Sequence, residues 1–393
     1  MAKKNRQTFK NKFKPIMITV ILLTLAVLIT VFCFVLKKGI SSISQISSIC
    51  EIAYPEMIQY PGDEYLYRDT QIYGQLVWAW DSSVRAQRSQ AEGYGEGLED
   101  FFAVLVPELL TADSSGNQVC SPVGAYVELA ALTEISGKDS RERLLELLGS
   151  ENVEKLQEQA SAIWNGFYCD DGVSLSLIET DLEAGRKAAL SQKVLFQGSW
   201  VRYFQEEDSY TGSFHGASGD IQCEYMYVKK PRACYYGQNF AAVNHDCAAA
   251  QRHGNIVWFI LPDEGTSPYE VLKSEEFYKL IGMDNLLKWE NQEYLECCLS
   301  VPEFKVEYVV NLQKALEELN ITVNGTIGQN MALTFDGNGV YSDETGPSDL
   351  ELYWGLYGTG DIEAMELVFD RPFIFVMTGP ENLPLYVGVV NQP

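Results

Sequence analysis

The sequence predicts an α+β fold, and three observations carry the prediction. The chain has 393 residues, 46% apolar and 21% charged, enough to bury one large core or two smaller ones. From Leu98 to Leu148, apolar residues recur at helical spacing. Past residue 193 they gather into short β-rich runs separated by Gly and Pro turns. Helices first and strands later describe an extensive, mostly antiparallel sheet system with helices packed on it.

The chain begins with a basic tail, residues 1–15, and an apolar segment, Ile16–Leu36, of 21 residues without a charge, Gly or Pro. As a helix at ~1.5 Å per residue that segment spans a bilayer. It runs into Phe32-Cys33-Phe34-Val35-Leu36-Lys37 with no small-residue cleavage site, so it reads as an uncleaved anchor rather than a signal peptide. Six basic residues precede it and two follow, which places the tail in the cytoplasm and residues 39–393 outside. The expected location is the cell membrane, single-pass, with the C-terminal body extracellular and the bilayer contacted through residues 16–36. Cys33 lacks the small neighbour that lipoprotein processing needs and reads as a thiol facing lipid or a partner helix.

Residues 37–93 read as a Ser-rich stalk (Ser41, Ser42, Ser44, Ser47, Ser48) and then an aromatic packing arm with Tyr73, Trp78 and Trp80. Gly93-Tyr94-Gly95 breaks the chain, and the folded domain is expected over 94–393. Its first helix carries Leu98, Phe101, Phe102, Leu105, Leu109 and Leu110. A second covers Val123–Leu132, and a third, Ser140–Leu148, stops at Gly149. The strand-like runs are Val194–Phe196, Ile256–Leu261, Leu299–Val306, Met331–Phe335 and Phe373–Met377, with one helix, Leu312–Leu319, among them.

Charge and motifs exclude several functions. All 54 Asp and Glu fall after residue 38, against 29 Lys and Arg in the whole chain, so the body repels phosphate backbones and no nucleic-acid partner is expected. No Gly-rich phosphate loop, G-x-S-x-G elbow or H-E-x-x-H occurs. His245-Asp246-Cys247 sets an imidazole near a thiol, but two residues along one strand is not the geometry of a cysteine nucleophile. His245, Cys247 and His253 lack paired zinc-ligand spacing. We therefore assign no catalytic residue, no metal and no cofactor, and the protein is not expected to be an enzyme. The eight cysteines beyond Cys33 permit disulfides in an exported body, and the adjacent Cys297 and Cys298 point to opposite faces of their strand.

The order of short motifs then resembles a known family, the serpins. Asn117-Gln118-Val119-Cys120-Ser121-Pro122, followed by Ala130-Ala131-Leu132 and Gly137-Lys138-Asp139-Ser140-Arg141, resembles the family's N-x-x-x-S-P helix and the turn after it. Phe196-Gln197-Gly198-Ser199-Trp200 with Phe204 is similar to F-K-G-x-W, and Tyr236-Gly237 with Phe240 and Ala242-Val243 to Y-G-x-x-F-x-A-V. Ile260–Gly265, Val301–Glu307, Phe369–Phe375 and Pro384–Asn391 resemble further family segments in the same order. The resemblance implies three β-sheets, about eight helices and an exposed reactive loop ahead of the C-terminal strands. In this family a protease cuts the loop, which inserts as a new central strand and carries the protease with it. The implied partner is a serine (or cysteine) protease met by a monomer; the alternative is a non-inhibitory binding or structural module at the cell surface.

Phe335-Asp336-Gly337-Asn338-Gly339 looks like the family's V-D-E-N-G, which puts the loop hinge at Gly339, Val340, Ser342 and Glu344 and the cleavage bond near Tyr353-Trp354. Period 2 from Val340 sets Val340, Ser342 and Glu344 on one face, Tyr341 and Asp343 on the other. Two features depart from the family. Carrying Glu344 into a sheet interior without a cation costs several kcal/mol, and Pro347 has no N–H to give a central strand. In addition, only about thirty residues separate Trp164 from Leu195. That is too few for the family's usual strands and crossing helix, so either part of the helix layer over the central sheet has been lost or the gene is rearranged.

Overall fold

The computed structural model describes residues 70–87, 92–112, 115–167, 173–180, 188–200, 204, 208–249, 254–283, 285–323, 325–342, 346 and 363–393. Ile16–Leu36 lies outside them, and among the described residues no helix is long and apolar enough to cross a membrane.

The first described element is α1 (Thr70–Gln87), inside the stretch read as an arm without a helix. Gly74 and the Trp, Tyr and Ser residues give it poor helix propensity, yet Trp80 is buried. Helix α2 (Glu99–Leu109) turns Phe101, Phe102, Leu105, Val106 and Leu109 into the core. The next helix, α3 (Pro122–Ile135), starts on a Ser121 cap that accepts from the Gly124 amide, with Pro122 at the first helical position. Arg141 of α4 (Lys138–Leu147) donates to the carbonyls of Thr133, Glu134 and Ser136 at 2.9–3.1 Å and so caps the C-terminus of α3. A further helix, α5 (Val153–Phe167), buries Leu156, Ala160, Ile163, Trp164 and Phe167, one stripe at helical spacing.

Fourteen strands follow or interleave: β1 (Gln118–Cys120), β2 (Val173–Thr180), β3 (Ala188–Trp200), β4 (Tyr210–Gly216), β5 (Gly219–Gly237), β6 (Phe240–Ala249), β7 (Gly254–Pro262), β8 (Gln292–Pro302), β9 (Phe304–Asn311), β10 (Gly325–Asp336), β11 (Gly339–Tyr341), β12 (Ala364–Val368), β13 (Phe373–Thr378) and β14 (Pro384–Val390). Three more helices, α6 (Pro268–Val271), α7 (Glu275–Ile281) and α8 (Leu312–Glu318), make eight among the described residues. The main path runs β1-β14-β13-β7-β6-β3-β11-β10-β9; β2 adds to β3, and β5 joins β4, β6 and β8, with β12 beyond β8. The expected sheets are thus continuous through hydrogen bonds, because long strands such as β5, 19 residues, pass from one ladder to another.

The run Leu299–Val306 is two strands. Proline 302 cannot donate to a ladder, and at Glu303 the chain leaves the β5 pairing for that of β10. Between α5 and β3 the described residues hold one strand, β2, antiparallel to β3, and no helix. Under the sheet, Phe304 stacks on Phe335 at 4.3 Å between ring centroids, with Phe373 and Phe375 against them. Cys297 is buried and Cys298 half-exposed, as alternation requires. Cys120, Cys223, Cys234, Cys247, Cys297 and Cys298 are all unbridged.

Candidate functional site: a loop hinge held in the sheet

Strand β10 ends at Asp336, whose Oδ1 accepts from the amides of Asn338 and Gly339 at 2.8 and 3.2 Å. These bonds form an Asx-type turn at Gly337-Asn338. The turn sends β11 back antiparallel to β10, with Asp336↔Gly339, Phe335↔Val340 and Thr334↔Tyr341. On its other side β11 pairs antiparallel with β3, through Ser199↔Gly339, Gly198↔Val340 and Gln197↔Tyr341. The start of the loop is therefore a three-residue strand wedged between β3 and β10. Further down, those two strands pair directly and in parallel, from Gly325↔Ala188 to Gln329↔Gln192. Between wedge and seam, Lys193–Phe196 and Asn330–Leu333 have no pairing to each other.

Two glycines make the wedge possible. A Cβ at Gly339 would collide with the Gly198 carbonyl oxygen, and a Cβ at Gly198 would lie 2.8 Å from both Cys247 Sγ and the Phe196 ring. Next to them Trp200 donates from Nε1 to the Asp336 carbonyl at 2.7 Å and packs edge-on against Phe204 and His245.

Side chains fasten what the backbone begins. Val340 is buried in the core and Ser342 is buried beside it, while Tyr341 is half-exposed on the opposite face. This is the alternation expected from period 2. Ser342 makes a paired contact with Phe196: its amide donates to the Phe196 carbonyl at 2.7 Å, and its Oγ accepts from the Phe196 amide at 2.9 Å. The Ser342 hydroxyl also meets the phenol of Tyr386, which burial holds well above its ordinary pKa. On the outer face Tyr341 donates from Oη to Asp336 Oδ2 at 2.7 Å. Glu303 closes the turn, accepting from the Gly337 amide at 3.3 Å; burial raises its carboxyl pKa.

Of the expected hinge residues, Gly339, Val340 and Ser342 are brought together here. Glu344 and the bond Tyr353-Trp354 lie outside the described residues, as do Cys50, Cys169 and His253. Motif spacing does not reveal the roles of Tyr341, Asp336 and Trp200. His245 is buried against the rings of Trp200 and Phe204, and Cys247 is buried beside Gly198, so both are core groups. Among the described residues no three His, Cys, Asp or Glu side chains are grouped to hold a metal.

Comparison with known proteins agrees with this geometry. Residues 171–324 match the family model Serpin (serine protease inhibitor). Serpin I2 of Homo sapiens is 26% identical over 227 residues, 53% of this chain and 54% of that protein, so the match spans about half the relative's length. The crystal structure of tengpin, a thermophilic serpin in its native state, aligns with TM-score 0.61 at 16% identity, over 77% of this chain and 95% of that one. Arabidopsis AtSerpin1, in a native stressed conformation, gives 0.59 at 15% identity, over 77% and 100%. Maspin gives 0.58 at 15%, over 77% and 100%. Residues 171–324 therefore match the serpin model, and the described residues share the serpin fold, with a loop hinge seated at the head of the central sheet.

Proposed function

We propose that the protein is a cell-surface serpin, anchored through Ile16–Leu36, that meets a serine-type protease with the loop beginning at Val340. The observation that carries this reading is the wedge: β3 and β10 are parted at their upper ends and have taken up Gly339–Tyr341. A sheet that accepts the first residues of the loop is prepared for the chemistry of the family, in which a cut loop lengthens a strand. Further insertion meets a specific obstacle. Continuing the register of β11 sets Glu344 opposite Val194 and Met331, and Met331 is buried. The same strand would then have to part the five parallel pairs of the seam.

A second reading, a non-inhibitory binding module, rests on Glu344 and Pro347 in the inserting stretch. The two separate on a denaturing gel of the full-length protein incubated with a panel of chymotrypsin-like proteases. A covalent complex that survives SDS supports inhibition. Cleavage within residues 341–357 without a complex supports the second reading. First cuts elsewhere in the body overturn the assignment of the loop.

A further inference from the structure

A second feature of the sheet lies below the hinge and is independent of the protease reading. Helix α3 packs against β14 and β3, and its N-cap is fastened to β10 by Gln329, which accepts from the Ser121 amide at 3.0 Å and donates to the Ser121 carbonyl at 2.9 Å. Seven residues along, α3 carries Glu128. The helix is buried over most of its length, and Glu128 itself is 0% exposed. Among the described residues neither of its carboxyl oxygens makes a well-formed hydrogen bond. The polar group that acts on it is the backbone of Gly328, the residue next to Gln329 and a member of the β3–β10 seam, paired with Ser191.

Burial disfavours an ionised carboxylate in such a place, whereas a neutral carboxylic acid is tolerated. Among the described side chains no charge is paired with it. Helix α2 carries Glu99, Asp100 and Glu108, all exposed, and the acids and lysines of α4 and α5 are likewise at the surface. Arg141 is committed to the carbonyls at the end of α3. Lys193 is the one ionisable residue of β3, Asp336 ends β10 at the hinge, and β14 offers the neutral phenol of Tyr386. Burial holds the Glu128 carboxyl well above its ordinary pKa, and the backbone of Gly328 opposes the shift.

We propose that Glu128 is a proton-dependent latch for the β3–β10 seam: the seam closes over the neutral acid and opens when the acid ionises. The sign follows from linkage. A carboxyl that binds its proton more tightly in the closed state stabilises that state fully at low pH. The contribution falls as pH rises from the ordinary carboxyl range through the raised native value. Within that window each pH unit should favour opening about tenfold.

The test is hydrogen exchange on the full-length protein, followed by mass spectrometry across that window and corrected for the intrinsic rate. In the wild type, protection over residues 188–192 and 325–329 should fall about tenfold per pH unit. The β5–β8 ladder, remote from the seam, should not follow it. Glu128→Gln, which keeps shape and hydrogen-bonding capacity but cannot ionise, should abolish the slope while leaving low-pH protection in place. Glu128→Met serves the same purpose if the amide variant does not fold. A wild-type seam whose protection is flat with pH, or a slope that survives either substitution, overturns the latch.

Discussion

Replacing Ser342 by Ala tests whether the wedge is held by its side chains or by the backbone alone. In the docked state the Phe196 amide is buried and donates to Ser342 Oγ at 2.9 Å. Removing the hydroxyl leaves that N–H enclosed without a partner, a penalty of about 1–3 kcal/mol. When the hinge is withdrawn, the same amide faces the unpaired stretch between β3 and β10, where water satisfies it. The substitution therefore acts on one side of the equilibrium and should raise the withdrawn population about 5- to 150-fold. Exchange at the amides of Gly339–Tyr341 reads this directly, and chymotrypsin cleavage after Tyr341 reads it a second time. Ser342→Thr, which keeps an Oγ acceptor, should fall much closer to wild type. If Ser342→Ala left protection at these amides within about twofold of wild type, the serine would not be the fastening and the ladder alone would hold the hinge.

The remaining predictions concern the same loop and its setting. Tyr341→Phe removes the 2.7 Å bond to Asp336 on the exposed face and should loosen the hinge by about 0.5–1.5 kcal/mol, visible as a smaller rise in exchange than Ser342→Ala gives. After loop cleavage the wild-type melting temperature should hardly move, because a buried Glu344 cancels the new ladder bonds. Glu344→Ala should then rise by several degrees on cleavage, and a large rise in the unmodified protein would refute the obstacle. Protease added to intact cells should remove the body and spare residues 1–15; a body protected in intact cells would refute the outward topology.

Legibility of the fold in the sequence followed the strength of the local pattern. Helices α2 to α4 announced themselves by apolar spacing, whereas the Ser121 cap of α3 is visible only in the structure. That Val340 and Ser342 share one face, opposite Tyr341, followed from period 2. Helix α5 escaped notice although Leu156, Ala160, Ile163, Trp164 and Phe167 mark one face, because its charged and amide residues dilute the signal. In α1 the aromatic residues read as an arm because nothing local says that Trp80 has a core to enter. The Tyr341–Asp336 bond and the Ser342–Phe196 pair join residues that no spacing rule connects, since the turn at Gly337-Asn338 and the 146-residue separation are resolved only in three dimensions. Glu128 did leave a trace: an acid set inside the otherwise apolar run Val123–Leu132.

The placement of the last two strands bears on what a cut in the loop does to the protein as a whole. Every residue of β13 and β14 is buried, and β14 lies between β13 and β1 while β13 lies between β14 and β7. The polypeptide downstream of the loop is thus an interior part of the sheet, and β12 ties it to β8 as well. Cutting the loop changes the covalent connectivity without freeing a piece. A nicked molecule should sediment and migrate under native conditions as one particle, and separate into two chains only in denaturant. With the anchor proposed above, both fragments would remain at the site of attack, so the record of an encounter with a protease would be kept at the cell surface rather than shed.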